Sequence, residues 1–423
     1  MGKMRRASGR CVNASQTPLT PYTTPTPLPH IPTSLPHRLP QASPLTPPSE
    51  CVGVPAMSSP KQGKVRVAVV GVGHLGQHHA RNLAELPNAE LVAVVDSSEA
   101  RGREIAGKWG VPWVADYRDL LGKVDAVSIA VPTVYHYDIA RFFLLNGVHC
   151  LVEKPITHSV ETASALVVLA QANRLVLQVG HIERFNAAIE RMREILDQPG
   201  FIEVHRLGPY DPRVKDVGVV LDLMIHDIDI VLQCVNSPIQ SIDAIGVSIF
   251  SEKEDIANAR LKFENGCIAN LTVSRVTPVK KRKLRIFQRD AYISVNYAKQ
   301  SMEVFRKVHA RDAKPGEQAW KIVRRSETIK REEPLKKELG HFLHCVSNQV
   351  EPHVTGEHGA TALEIAIQVT RLIHENMRRN PSVAATRFVE EMGDTTVEFL
   401  APDAPSPSAE AFSHADIDDE EED

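Results

Sequence analysis

Val65-Arg66-Val67-Ala68-Val69-Val70-Gly71-Val72-Gly73-His74-Leu75-Gly76 is the stretch that decides the fold. Its first half is a β-branched run without strict alternation, which suits a strand buried on both faces of a parallel sheet. Its second half spaces three glycines as G-x-G-x-x-G, and helix-type sequence follows to about residue 86. In that setting the first glycine permits a tight turn and the second lets the backbone approach a pyrophosphate. The third lets the helix pack closely on the strand. The helix N-terminus adds the positive end that favours phosphate. Gly71, Gly73 and Gly76, with His74 and Leu75 between them, are therefore candidate dinucleotide-binding residues.

Working outward, residues 91–95 read as a second strand, closed by Asp96 about 20 residues beyond Gly76. A carboxylate there accepts hydrogen bonds from ribose hydroxyls and repels a 2′-phosphate, which predicts NAD rather than NADP. Arg101 lies close enough to weaken that preference. Residues 125–131, 148–152 and 175–179 read as further strands, separated by helices near 99–109, 134–146 and 158–173. Repeated βα units predict a doubly wound parallel sheet. After about residue 200 the rhythm changes. A helical segment at 218–235 precedes strand-like runs at 241–250, 257–263, 267–274, 283–287, 292–297 and 302–308. Glu264-Asn265-Gly266 between two of them suits a hairpin turn, since Asn-Gly tolerates positive φ. The expectation is a mostly antiparallel open sheet in a second α/β domain, with helices near 335–348 and 358–378.

The ends differ from this body. About half of the 29 prolines fall in residues 1–62, mixed with Thr and Ser, and no apolar period runs through them. Such a segment cannot bury enough surface to offset the entropy of ordering and is expected to be disordered. Met57, just ahead of the first strand, offers a second start, which leaves residues 1–56 open. The chain closes on an acidic run, Asp418 to Asp423. The expected organisation is an extension 1–62, a cofactor domain 63–183, a substrate and oligomerisation domain 184–390 and an acidic tail 391–423. A net charge of −3 does not suggest a dedicated nucleic-acid binder. No apolar run of about 18 residues suggests a membrane helix. Six scattered cysteines without a CxxC pair suggest reduced thiols and a cytoplasmic protein.

Two clusters carry the chemistry. Glu153-Lys154-Pro155 follows a strand, and a lysine at a strand C-terminus points into the crevice where open α/β sheets bind ligands. The plain alternative is a surface lysine beside a turn. The second cluster runs from Asp222 to Asp229. On a regular helix Asp222, His226 and Asp229 share one face, set among apolar residues. Burying a carboxylate with an imidazole costs free energy unless the two are paired or used. A structural His–Asp pair is the plain alternative, and the absence of a third ligand cluster argues against a metal.

The glycine loop, the Glu-Lys-Pro tripeptide and the D-x-x-x-H helix, in this order, resemble the Gfo/Idh/MocA family of oxidoreductases over about residues 64–390. The resemblance implies a Rossmann domain followed by an α/β domain whose large sheet commonly carries a homo-oligomer interface. It places the catalytic lysine at Lys154, counts Glu153 and Lys154 among the cofactor-binding residues, and puts the catalytic Asp/His pair at Asp222 and His226. Pro132, Thr133 and His136 correspond to the loop beside the nicotinamide. The run Gly180-His181-Ile182-Glu183-Arg184-Phe185-Asn186 is similar to family members that oxidise the 3-position of UDP-N-acetylglucosamine for lipid A synthesis. On that similarity Arg184, Asn186 and Asp229 are expected to touch a sugar-nucleotide substrate; a domain-bridging salt bridge is the plain alternative for Arg184. Secondary-alcohol oxidation then has His226 as general base and Lys154 as the hydrogen-bond donor to the reacting oxygen. Asp222 orients the imidazole or binds a neighbouring hydroxyl. The reverse assignment, with Lys154 as base, stays open. So do a myo-inositol or glucose-type dehydrogenase and a glycosidase that recycles NAD. The basic stretch Lys280-Lys281-Arg282-Lys283 with Arg285 reads either as an attractor for a diphosphate or as a lysine-protected strand edge.

Overall fold

The computed structural model describes residues 63–211, 217–309 and 320–379. The expected disordered extension and acidic tail lie outside them. Val65–Val70 (β1) is an inner strand of a six-stranded sheet. Around it stand Ala89–Val95 (β2), Trp113–Val114 (β3), Ala126–Ile129 (β4), His149–Glu153 (β5) and Leu177–Gly180 (β6). The spatial order is β3-β2-β1-β4-β5-β6, and every neighbouring pair is parallel. This is the doubly wound Rossmann order, and its reversal between β1 and β4 opens a ligand crevice at the strand C-termini. Gly76–Glu85 (α1), Glu99–Trp109 (α2), His136–Leu145 (α3) and Val160–Ala172 (α4) connect the strands. Ser98 and Ser159 start α2 and α4 by accepting the Arg101 and Thr162 amides. The two-residue β3 was beyond the reach of periodicity.

Ala187–Ile195 (α5) leads to Phe201–Leu207 (β7). A π-helical turn, Val220–Met224, runs into Ile225–Val235 (α6). Then come Ile239–Val247 (β8), Ile256–Phe263 (β9), Ile268–Ser274 (β10), Lys281–Gln288 (β11), Ala291–Asn296 (β12), Ser301–His309 (β13) and Trp320–Glu327 (β14). They form a second sheet in the order β14-β13-β12-β11-β7-β10-β9-β8, antiparallel except where β7 meets β10. Gly266 holds φ at +87° in the turn between β9 and β10. The sequence reading passed over β7, although it lies inside the sheet. Its inward positions are Ile202, Val204 and Arg206, and the arginine stands where an apolar residue would have completed the alternation. It also passed over β14, which is exposed along most of its length and shows no buried face.

One face of the second sheet packs on α5, α6 and the last helix, Gly356–Arg379 (α8), through Ile202, Val204, Leu284, Ile293, Ile228, Val369 and their neighbours. The other face carries a row of aromatics, Phe201, Phe287, Tyr292 and Phe305, with successive ring centroids 5.6, 4.8 and 5.2 Å apart. The single boundary expected near residue 183 is crossed in space. Pro334–Asn348 (α7) returns to the first sheet, where Leu339 and Phe342 share a core with Val65, Val67 and Leu83. Helix α8 serves both sheets: Leu363 packs in the core of the first and Ala366 in that of the second.

Candidate active site

The glycine loop is built by close backbone approach. Gly71 sits at φ +86°, and a Cβ there would meet the Ala130 carbonyl oxygen at 2.7 Å. A Cβ on Gly76 would fall 1.8 Å from the Gly71 carbonyl oxygen, so the turn and the first residue of α1 admit no side chain. Gly73 differs: a Cβ there would meet nothing within 4 Å. Its backbone faces open space, the arrangement a pyrophosphate cradle requires. His74 and Leu75 are exposed, and α1 begins without a side-chain cap or an acidic residue in its first turn. The Gln77 and His78 amides bond the Gly73 and Leu75 carbonyls, so the helix offers the positive end of its dipole rather than a row of free amides. Asp96 braces the loop, its two oxygens accepting the Val72 amide and the Ser98 amide at 2.9 Å each. Arg101 reaches the same loop from α2, donating from Nε to the Val72 carbonyl at 2.9 Å. These residues fit an adenine dinucleotide.

Across the switch point, Pro132 and Thr133 form the turn after β4 beside Gly71. His136 lies beneath them, almost wholly buried. Its ring nitrogens approach the Pro155 and Val131 carbonyls at 2.9 and 2.8 Å, and it ties this turn to the one after β5. Burial pushes its pKa down although the carbonyls favour the proton.

Glu153 ends β5, buried beneath the crevice. Gly180, its partner on β6, makes room: a Cβ there would meet the Glu153 carboxyl carbon at 2.8 Å. His79 Nε2 stands 3.1 Å from Glu153, and His79 Nδ1 is 2.8 Å from Ser128 Oγ. Burial works to raise the Glu153 pKa, but His79 and Lys154 outweigh it and hold the carboxyl ionised. Glu338 on α7 behaves oppositely, for burial and the Glu153 charge push its pKa well up.

Lys154 follows, and its peptide to Pro155 is cis. Its Nζ donates to the Asp222 carbonyl at 2.7 Å and approaches Asp222 Oδ1 at 3.3 Å. The π-helical turn explains the first contact. Ile225 N–H bonds the Val220 carbonyl five residues back, so the helix is widened at Asp222, and a widened turn presents backbone groups that a regular helix would close on itself. This alters the expected one-face stripe. Asp222 faces Lys154, and no side-chain hydrogen bond joins it to His226 among the described residues. His226 Nδ1 is buried without a partner, and its ring lies 6.1 Å from that of buried His181. Burial first, then the cations Lys154 and Arg206, push the His226 pKa well down and keep the imidazole neutral.

Arg184 forms a salt bridge, the plain alternative for it, and Asn186 and Asp229 are likewise bonded to protein groups. Arg184 and Asp229 form a fully buried two-bond pair, at 2.7 and 2.5 Å, and Arg184 also donates to the His353 carbonyl at 2.9 Å. Asn186 is buried, caps α5 and donates to the Tyr297 carbonyl. All three are occupied by protein groups: Asp229 on α6 and the His353 and Tyr297 carbonyls take their polar atoms. A second buried cluster went unread. Arg206 on β7 binds Asp227 through two bonds at 2.8 and 2.9 Å and Glu183 at 2.9 Å. Its signal was the lone arginine among the inward residues of β7.

With this geometry in place the comparisons become specific. Residues 65–181 match the NAD-binding Rossmann domain of the Gfo/Idh/MocA oxidoreductases, and residues 178–294 match that family's C-terminal domain. The chain belongs to the Gfo/Idh/MocA oxidoreductase family. UDP-N-acetylglucosamine 3-dehydrogenase of Acidithiobacillus ferrooxidans is 34% identical over 316 residues, covering 74% of this chain and 99% of that enzyme. A solved structure of that enzyme aligns with a TM-score of 0.68 over 73% of this chain and 98% of its own. Scyllo-inositol 2-dehydrogenase (NAD(+)) of Bacillus subtilis is 28% identical over 335 residues, 74% of this chain and 95% of its own length. Scyllo-inositol dehydrogenase of Lactobacillus casei, solved with NAD(H) and scyllo-inositol, shares the fold at 19% identity, with a TM-score of 0.62 over 74% of this chain and 98% of its own. The family member described here is thus an oxidoreductase with an NAD-binding Rossmann domain and a second, mostly antiparallel α/β domain. No helix among its described residues is long and apolar enough to cross a membrane.

Proposed function

We propose that the enzyme oxidises a secondary alcohol of a sugar to a ketone with NAD, and that its substrate is the 3-hydroxyl of UDP-N-acetylglucosamine in amino-sugar and lipid A synthesis. The observation that carries the chemistry is the meeting of Lys154 with Asp222, beside a neutral His226, at the strand ends of a dinucleotide crevice. The relative of 34% identity, matched over 99% of its length, carries the substrate. Bound NAD supplies the hydride acceptor. Lys154, as an ammonium, donates a hydrogen bond to the reacting oxygen and stabilises the charge that develops there. His226 takes the hydroxyl proton: it is unprotonated, and although burial and the Lys154 and Arg206 charges make it a weak base, the hydroxyl becomes strongly acidic as the hydride leaves. Asp222 positions the Lys154 ammonium rather than the imidazole. Asp96 favours NAD over NADP by accepting from the ribose hydroxyls. The free, buried thiols of Cys150, Cys234, Cys267 and Cys345 support a cytoplasmic location, and the aromatic row on the open sheet supports a homo-oligomer.

The test is direct. Purified enzyme with NAD and UDP-N-acetylglucosamine should form NADH, seen as rising absorbance. An inert panel of UDP-sugars beside turnover of inositol would transfer the assignment to the inositol dehydrogenases, which the Bacillus relative favours.

A further inference from the structure

The basic run on β11 is divided by strand alternation. Arg282 lies on the inward face with buried Leu284 and Ile286, whereas Lys281, Lys283 and Arg285 lie on the open face. Arg285 is bonded there to Glu203 at 3.0 Å. Arg282 stands directly across the sheet from Arg206. Of the nearby carboxylates, Asp227 and Glu183 are hydrogen-bonded to Arg206 and Asp222 faces Lys154; the Arg282 guanidinium comes no closer to Glu183 than 3.9 Å. Among the described residues it donates no side-chain hydrogen bond, although only 35% of the side chain is exposed. A half-buried fork of donors without an acceptor is an incomplete arrangement.

Arg282 lines a cavity of about 440 Å³ that begins at Asp222, the partner of Lys154. Leu223, Tyr210, Ser274 and Lys280 continue its wall. The acidic groups on the wall are Asp222, faced by Lys154, and Asp211. Lys280 is exposed. The volume is that of a small-molecule site.

We propose that this cavity is the diphosphate subsite of a sugar nucleotide, with Arg282 as its bidentate anchor and Lys280 as a second positive charge. A guanidinium fork matches phosphate oxygens in both geometry and charge. Arg184, for which the sequence offered this contact or a salt bridge, is held by Asp229. The assignment rests on the sugar-nucleotide reading above and extends it from the reacting hydroxyl to the far end of the substrate.

The experiment compares wild type, Arg282→Gln, Arg282→Lys and Arg285→Gln. UDP binding is measured by calorimetry, and KM by NADH formation with UDP-N-acetylglucosamine. Arg282→Gln should raise the UDP Kd and the substrate KM about tenfold or more, the loss of a charge-assisted pair, with the NAD Kd within about twofold. Arg282→Lys keeps the charge but loses the fork, and should fall between; it also serves if the glutamine variant fails to fold. Arg285→Gln, on the other face, should bind UDP as wild type does. Wild-type UDP affinity in both Arg282 variants would overturn the subsite while leaving the substrate assignment standing. A wild-type enzyme that neither binds UDP nor oxidises the UDP-sugar would overturn the substrate assignment, and the subsite with it.

Discussion

The two sides of the crevice are built by different means. The cofactor side is backbone work: two glycines that admit no Cβ, a third facing open space, and one carboxylate bracing the loop. The side proposed to take the substrate is side-chain work. Its residues come from β5, β7, β11 and the helix after β7, and buried ion pairs hold the elements together. The backbone side tolerates almost no added atoms. The side-chain side tolerates almost no lost charges.

The harshest trial of that contrast is Arg206→Ala. It leaves Asp227 and Glu183 buried without their cation, and breaking such a pair costs about 3–5 kcal/mol. The urea midpoint should drop accordingly, with NAD binding retained wherever the protein is still folded. A loss below 1 kcal/mol would mean that hydrophobic packing, not charge, holds this side.

Lys154→Ala comes next. Removing a donor to a developing oxyanion lowers kcat about 10²–10³-fold. The NAD Kd, read by calorimetry, should stay within a few-fold, since the cofactor loop makes no use of this side chain. Parallel losses of turnover and NAD binding would erase the division of labour between the two sides.

Asp96→Asn probes the cofactor side more gently. The amide keeps one acceptor oxygen and loses the charge, so NAD binding should weaken by about tenfold or less, the worth of one hydrogen bond. Discrimination against NADP should shrink with it. An unchanged ratio of NADP to NAD affinity would take the cofactor preference away from Asp96.

These two sides also differ in how far sequence could reveal them. The glycine loop, Asp96 and the strands of the first sheet are local patterns, each read within a few residues. Lys154 was readable because a strand end fixes its direction. Asp222 and His226 were recognisable as residues but not in their pairing, because a π turn shifts the helix register and no local pattern announces it. The Arg206 cluster joins residues 183, 206 and 227, and only the closed sheet brings them together. Arg184 illustrates the converse: its residue type suggested a ligand contact, whereas its buried position gives it Asp229.

A more distributed effect is acid sensitivity. Burial pushes His149, beside β4 and β6, down to a pKa of about 4, and its Nδ1 accepts the Val176 amide at 2.9 Å. Burial, with the charges of His353 and His344, takes His341 on α7 to about 4 as well, and its Nε2 accepts the His353 amide at 3.0 Å. In each case protonation would put a donor where an acceptor is needed. The unfolded chain protonates its histidines near pH 6.5. Above that value both states are neutral and these groups contribute no pH dependence. Between about pH 6.5 and 4 the unfolded state binds more protons, so stability falls as pH falls; below about 4 both states are charged and the loss levels off. A single histidine contributes at most about 1.4 kcal/mol per pH unit in that window. His149→Gln keeps an acceptor for the Val176 amide and removes the titration. Its unfolding midpoint should therefore fall less steeply from pH 6.5 to 4.5 than that of wild type. Identical slopes would show that His149 contributes nothing to acid sensitivity and that other buried histidines, His341 and His226 among them, set it.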